Sequence, residues 1–210
     1  VEKNFFKIHV GSLARSGSTY LRYLIENQYD SPLKTQKSHN PKEHEARADR
    51  DFSCDEFVFA VRAPIDTLKS QLVWRLVDKP LDRDLVRSVL NEASHLWEVV
   101  LSAPEEFFIV DFEAITSKES EIMAALEAKH PSLLDLKSKT SLTTDNVKSK
   151  LEYSSKDGLG PIEYIERGHL PRQASNNSDL VESELASKFY THRINYLESL
   201  YQELISRKEA

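Results

Sequence analysis

Apolar residues along this chain fall in two rhythms: short unbroken runs, and longer stretches that repeat every three or four positions. Phe5 to Val10 is an apolar, β-branched run ending at Gly11, which predicts a strand. A loop from Gly11 to Ser18 follows, then residues 19–28 carry Leu21, Leu24 and Ile25 on one helical face. Leu33 to Ser38 predicts a short second strand, stopped by Asn40-Pro41. Residues 41–56 are charged and nearly devoid of large apolar groups, and read as a surface excursion. Phe57 to Val61 is continuously apolar, the pattern of a strand buried on both faces of a parallel sheet.

Pro64 suits the first turn of a helix over 65–77. Leu85, Val89, Leu96 and Val100 mark another helix, and Phe107 to Val110 another buried strand. Residues 117–129 are helical by pattern, and 137–179 read as loop with short elements. Leu185, Phe189, Leu197, Leu200 and Leu204 predict one long amphipathic C-terminal helix. Trp74 and Trp97 both fall on apolar helical faces and are expected in the core. Strands alternating with helices predict an α/β domain, three layers around a mostly parallel central sheet, with residues 1–210 as one domain. In such sheets ligands sit at the carboxyl ends of strands, so the loops after Val10, Ser38 and Val61 become the places to look.

Composition narrows the function classes. Of 210 residues, 28 are Lys or Arg and 34 are Asp or Glu, a formal net charge of −6. That balance argues against a nucleic-acid binder, whose affinity comes from cations neutralising phosphates, but it leaves a local anion pocket open. A single cysteine, Cys54, precludes an internal disulfide and a multi-cysteine zinc site. No run reaches membrane-spanning length, and the strand-like start is unlike a signal peptide, so a reducing, cytoplasmic setting is expected. The histidines His44, His95, His130, His169 and His192 show no metal-ligand spacing, and no metal is expected.

Three loops carry groups suited to an anion. Gly11-Ser12-Leu13-Ala14-Arg15-Ser16-Gly17-Ser18-Thr19 joins a strand to a helix, where backbone N–H groups and the helix N-terminus favour negative charge. Arg15 adds a cation, and Ser16, Ser18 and Thr19 add hydroxyls. It is not a Walker A loop, because Gly17 comes one position late and no lysine follows in register. An ordinary glycine turn is the alternative. Arg62 closes the second buried strand, where its guanidinium suits a phosphate, or else caps a helix or pairs with Asp66, and Ser70 follows two helical turns on. Lys37 and His39 lie two positions apart at the end of the second strand. Together they read either as a charge stabiliser and a proton acceptor, or as solvated loop residues.

Taken together, the order and spacing of these segments resemble the sulfotransferases that use 3′-phosphoadenosine 5′-phosphosulfate (PAPS). Ile8-His9-Val10-Gly11 through Ala14-Arg15-Ser16-Gly17-Ser18-Thr19 resembles the family's 5′-phosphosulfate loop. Lys37-Ser38-His39 is similar to its Lys-Thr/Ser-His segment, and Val61-Arg62-Ala63-Pro64-Ile65-Asp66 through Ser70 to its 3′-phosphate motif. Asp111-Phe112-Glu113-Ala114-Ile115 and Glu166-Arg167-Gly168 resemble two further family segments. Departures include Ala14 for the usual Pro, Ser18 for Thr, Tyr20 for Trp, and His169 onward in place of the usual continuation.

The resemblance implies a P-loop NTPase-like fold and a metal-free transfer of a sulfuryl group to a hydroxyl or amine. It implies that Arg15, Ser16, Gly17, Ser18 and Thr19 hold the 5′-phosphate, and that Arg62, Ser70, Arg167 and Gly168 hold the 3′-phosphate. Arg15 and Lys37 would stabilise charge near the leaving oxygen, with His39 as general base. The product would be 3′-phosphoadenosine 5′-phosphate. The acceptor would be a small molecule, or a carbohydrate given the Arg-Gly-x-Leu-x-x-Gln run from Arg167 to Gln173. Neither a nucleic-acid partner nor a membrane span is expected. A kinase using ATP, and a non-catalytic nucleotide-binding protein, stay open as alternatives.

Overall fold

The computed structural model describes residues 5–13, 16–29, 33–76, 80–137 and 176–208. Four strands form one sheet: β1 (Phe6–Ser12), β2 (Leu33–Ser38), β3 (Glu56–Val61) and β4 (Phe108–Asp111). Their order is β2-β1-β3-β4 and every pairing is parallel. β1 is thus central, with Gly11 opposite Ser38 on one side and Ile8 opposite Glu56 on the other.

Alternation along the strands sorts side chains to the two faces. Ile8, Val10, Val58, Ala60, Phe108 and Val110 share one face with α1 (Ser18–Gln28), α5 (Phe112–Ser117) and α6 (Glu119–Lys129), through Leu21, Ile25, Ile115, Ile122 and Leu126. Phe57, Phe59, Val61 and Ile109 share the other with α3 (Pro64–Arg75), α4 (Arg83–Ser102), α7 (Asn176–Leu185) and α8 (Thr191–Ser206). The result is a three-layer α/β/α architecture. Every residue of β3 is buried, and full burial of one of its phenylalanines contributes about 1.5–3 kcal/mol. α4 has the widest apolar stripe, from Leu85 to Val100, and its start is capped by Asp82, whose side chain accepts from Leu85 N at 2.7 Å.

Several expectations need correction. The 41–56 segment is not only a surface excursion, because α2 (Pro41–Ala48) forms there with Asn40 capping it and Pro41 in its first turn. It packs against α4 and buries His44 completely against Phe57 and Phe59. A neutral imidazole does the work of an apolar residue, which a hydropathy pattern scores as polar. The C-terminal segment is two helices, not one: α7 ends at Leu185, and Tyr190 is buried in the break that starts α8. That break leaves Phe189 about half exposed beneath the guanidinium groups of Arg83 and Arg87. Trp97 is in the core as expected, whereas Trp74 is 37% exposed. A short helix, α5, also follows β4 directly, where none was expected. Asp179 lies within α7, not in a loop. Among the described residues no helix is long and apolar enough to cross a membrane.

Candidate functional site

β1 sends the chain to α1 on one face of the sheet, and β3 sends it to α3 on the opposite face. Loops that diverge from adjacent parallel strands leave a crevice between their carboxyl ends, the usual ligand position in such sheets. Gly17, Lys37, His39, Arg62 and Phe112 all lie at this end of the sheet, on the segments that follow β1, β2, β3 and β4 or close them.

On the β1 side, Gly17 stands just before α1 with φ 84, a left-handed conformation that residues with a side chain rarely adopt. A Cβ there would lie 2.6 Å from Phe112 Cδ2 and 2.8 Å from Cε2, so the position excludes a side chain on two grounds. Among the described residues no side chain caps the first turn of α1, whose leading N–H groups have no intrahelical acceptor. Ser16 is 1% exposed, and its hydroxyl has no hydrogen-bond partner among the described residues. Ser18 is buried in the first turn. A buried hydroxyl without a partner beside uncapped helix amides fits an oxyanion, because each such donor is costly to leave unpaired.

β2 contributes two side chains. Lys37 Nζ donates to Thr19 Oγ1 at 2.6 Å, which draws the ammonium onto the first turn of α1. His39, just past the strand, places Nδ1 2.9 Å from the Ser12 carbonyl oxygen and 3.3 Å from Ser12 Oγ. A carbonyl only accepts, so Nδ1 carries the proton and Nε2 is the basic nitrogen. Ser12 Oγ is itself turned to the Leu13 carbonyl at 2.6 Å. The two side chains do project at the same end of the sheet, but they reach different elements.

On the β3 side, Arg62 follows the strand directly. Its carbonyl accepts from Thr67 Oγ1 at 3.2 Å, and its guanidinium lies over the Phe112 ring, 4.5 Å from the centroid. Ser70 sits half-buried two turns into α3. Phe112 therefore touches both halves of the crevice, Gly17 and Arg62. Behind it Asp111 ends β4 and caps α5, with Lys208 Nζ 3.8 Å from its carboxylate. Burial, and then the charges of Asp111 and Glu113, push the nearby Tyr201 phenol up to about 12.

Beneath the crevice, the second half of β1 rests on buried imidazoles. His9 is wedged between Phe52 and Phe57, with Nε2 3.2 Å from a Glu43 carboxylate oxygen. Burial lowers its pKa, opposed in part by Glu43. His44 donates from Nδ1 to the Asn40 carbonyl at 2.8 Å, while Nε2 has no hydrogen-bond partner among the described residues and faces the α-carbon of Gly11. Burial pushes its pKa down to about 4. A Cβ at Gly11 would overlap both His44 Nε2 and the Phe57 ring. Cys54 lies half-buried, and burial raises its thiol pKa to about 11, so it is not an activated nucleophile.

Of the residues expected at a site, Ser16, Gly17, Ser18, Thr19, Lys37, His39 and Arg62 thus gather at one end of the sheet, and Ser70 stands on the helix that follows Arg62. Arg15, Arg167 and Gly168 lie outside the described residues. Ser12 and Phe112 had no assigned role. Ser12 lies in the loop segment of the resemblance and Phe112 in its Asp111–Ile115 segment, but neither segment says that Phe112 meets Gly17 and Arg62. No protein-family model matches the sequence, and no curated protein matches it either.

Proposed function

We infer that this protein transfers a sulfuryl group from PAPS to an acceptor hydroxyl or amine. The observation that carries the reading is the tie between β2 and the β1 loop. Lys37 is bonded to Thr19 in the first turn of α1, and His39 is oriented two positions on by the Ser12 carbonyl. A cation at a helix N-terminus suits an oxygen that gains negative charge, and an imidazole held through Nδ1 suits proton removal at Nε2.

The residues present fit the nucleotide. The Ser16 hydroxyl, the uncapped amides of α1 and the glycine that permits close backbone approach would hold its 5′-phosphate. Arg62, with Ser70, would hold the 3′-phosphate, as the resemblance of the 61–70 segment implies. When bound, PAPS supplies an activated sulfuryl group whose bond to the 5′-phosphate breaks as a bond to the acceptor oxygen or nitrogen forms. His39 takes the acceptor's proton, and Lys37 offsets charge on the departing phosphate oxygen. Arg15, Arg167 and Gly168 would add contacts that the resemblance alone assigns. Positioning and electrostatics do most of the work in such transfers.

The deciding test is thermal unfolding with 3′-phosphoadenosine 5′-phosphate against Mg-ATP. The bisphosphate should raise Tm in a concentration-dependent way, and Mg-ATP should not. Stabilisation by Mg-ATP alone would favour a kinase. Stabilisation by the bisphosphate without transfer from PAPS to a panel of phenols, alcohols and sugars would favour a nucleotide-binding protein without catalysis.

A further inference from the structure

Phe112 lies between the loop that follows β1 and the loop that follows β3. One side of its ring, through Cδ2 and Cε2, lies where a Cβ on Gly17 would stand, and the Arg62 guanidinium is stacked over it at 4.5 Å. The ring is brought there by the N-cap of α5: Asp111, the last residue of β4, accepts from Glu113 N, which turns the chain sharply enough to aim residue 112 across the sheet end. Gly17 lies on the segment that follows β1 and Arg62 directly follows β3, so the ring touches the loops of two adjacent strands.

We propose that Phe112 is a positioning residue that holds the Arg62 guanidinium in the orientation needed for the second phosphate, using the bare Gly17 backbone as its backstop. This rests on the reading of the crevice as a bisphosphate nucleotide site. An arginine on an exposed loop samples many rotamers, and each must be given up on binding. A guanidinium already held over an aromatic face has given up part of that freedom before an anion arrives. The stack also explains why position 17 tolerates no side chain beyond the demands of φ: a methyl group there would push the ring off Arg62.

The ring's effect on the second phosphate is distinct from any general effect on the fold. Calorimetric titration of wild type, Phe112→Leu and Phe112→Tyr with adenosine 3′,5′-bisphosphate and with adenosine 5′-monophosphate reads that difference. Wild type should prefer the bisphosphate. Phe112→Leu should lose about three- to ten-fold in bisphosphate affinity, with the monophosphate within about two-fold of wild type. Phe112→Tyr should keep the wild-type preference. In an Arg62→Ala background, Phe112→Leu should have no further effect on the preference.

Equal weakening of both ligands by Phe112→Leu, or an unchanged preference, overturns the positioning role. A wild type that does not distinguish the two nucleotides overturns the bisphosphate reading itself, and this inference falls with it. Should Phe112→Leu fold poorly, Phe112→Met keeps the volume against Gly17 without the aromatic face, and the same ratio decides.

Discussion

After β1 the chain enters α1 through Gly17 at φ 84, whereas after β3 it enters α3 through Ala63 at φ −43 and Pro64. The first turn is built from backbone: a glycine against an aromatic ring, uncapped amides and a buried serine hydroxyl. The second turn uses conformations open to any residue and places its chemistry in one long side chain, Arg62. Both lie at the same end of the sheet, yet they divide fold and proposed binding differently. The β1 turn has little freedom to change because its geometry and the amides proposed to hold the 5′-phosphate are one object. At the β3 turn the frame and the functional group are separable.

The largest effect should fall on the β1–β2 side and be kinetic. His39→Ala should lower turnover by roughly 10²–10⁴ while leaving bisphosphate affinity nearly intact, measured by initial rates and titration. Unchanged turnover removes His39 from the reaction. Next, Gly17→Ala should cost stability and binding together. The left-handed backbone and the collision with Phe112 together cost about 2–4 kcal/mol, read from urea midpoints. A stable Gly17→Ala protein with normal binding would erase the contrast between the turns.

A third effect, of about 3 kcal/mol, tests what lies beneath β1. His44 has a pKa of about 4 in the folded protein against an ordinary 6.5. Above 6.5 it is neutral in both folded and unfolded states, and its contribution is constant. Between 6.5 and 4 the unfolded chain takes up a proton that the folded chain refuses, so stability falls as pH falls, and below 4 the loss is complete. Carboxylates titrate in the same window. The measurement is therefore the slope of unfolding free energy between pH 6.5 and 4, which should be shallower by nearly one proton in His44→Leu. Equal slopes would mean the imidazole is not buried neutral. The smallest effect belongs to the β3 turn: Arg62→Ala should weaken bisphosphate binding by about 2–3 kcal/mol and change stability by under about 1 kcal/mol. A large stability loss there would show that frame and function are not separable after all.

The elements that were legible in the sequence are those whose burial follows from local pattern. β2 forms over Leu33–Ser38 as expected, and the apolar runs at Phe57 and Phe107 became β3 and β4. Gly17, Lys37, His39 and Arg62 were legible because strand ends are easy to locate and their chemistry is unusual there. What escaped was non-local. α2 is buried through an imidazole whose neutrality depends on Phe57 and Phe59 from another strand. The break between α7 and α8 turns on Tyr190, whose hydroxyl donates to Glu184 while its ring is buried. Phe112 belongs to a segment that the resemblance singled out, but its contacts with Gly17 and Arg62 join three distant stretches of chain and have no local signature.

The strand order has a consequence for how the molecule comes to exist. β1 meets β2 across one short crossover, but it meets β3 only when Ile8 finds Glu56, roughly fifty residues further on. The crevice lies on that second seam. During synthesis the amide cradle of α1 is made early and waits for the guanidinium side of the cleft to emerge and dock. On the proposed reading, a nucleotide that bridges both sides would engage only after the slow pairing is complete. Its stabilisation should therefore appear as slower unfolding, with the folding rate untouched.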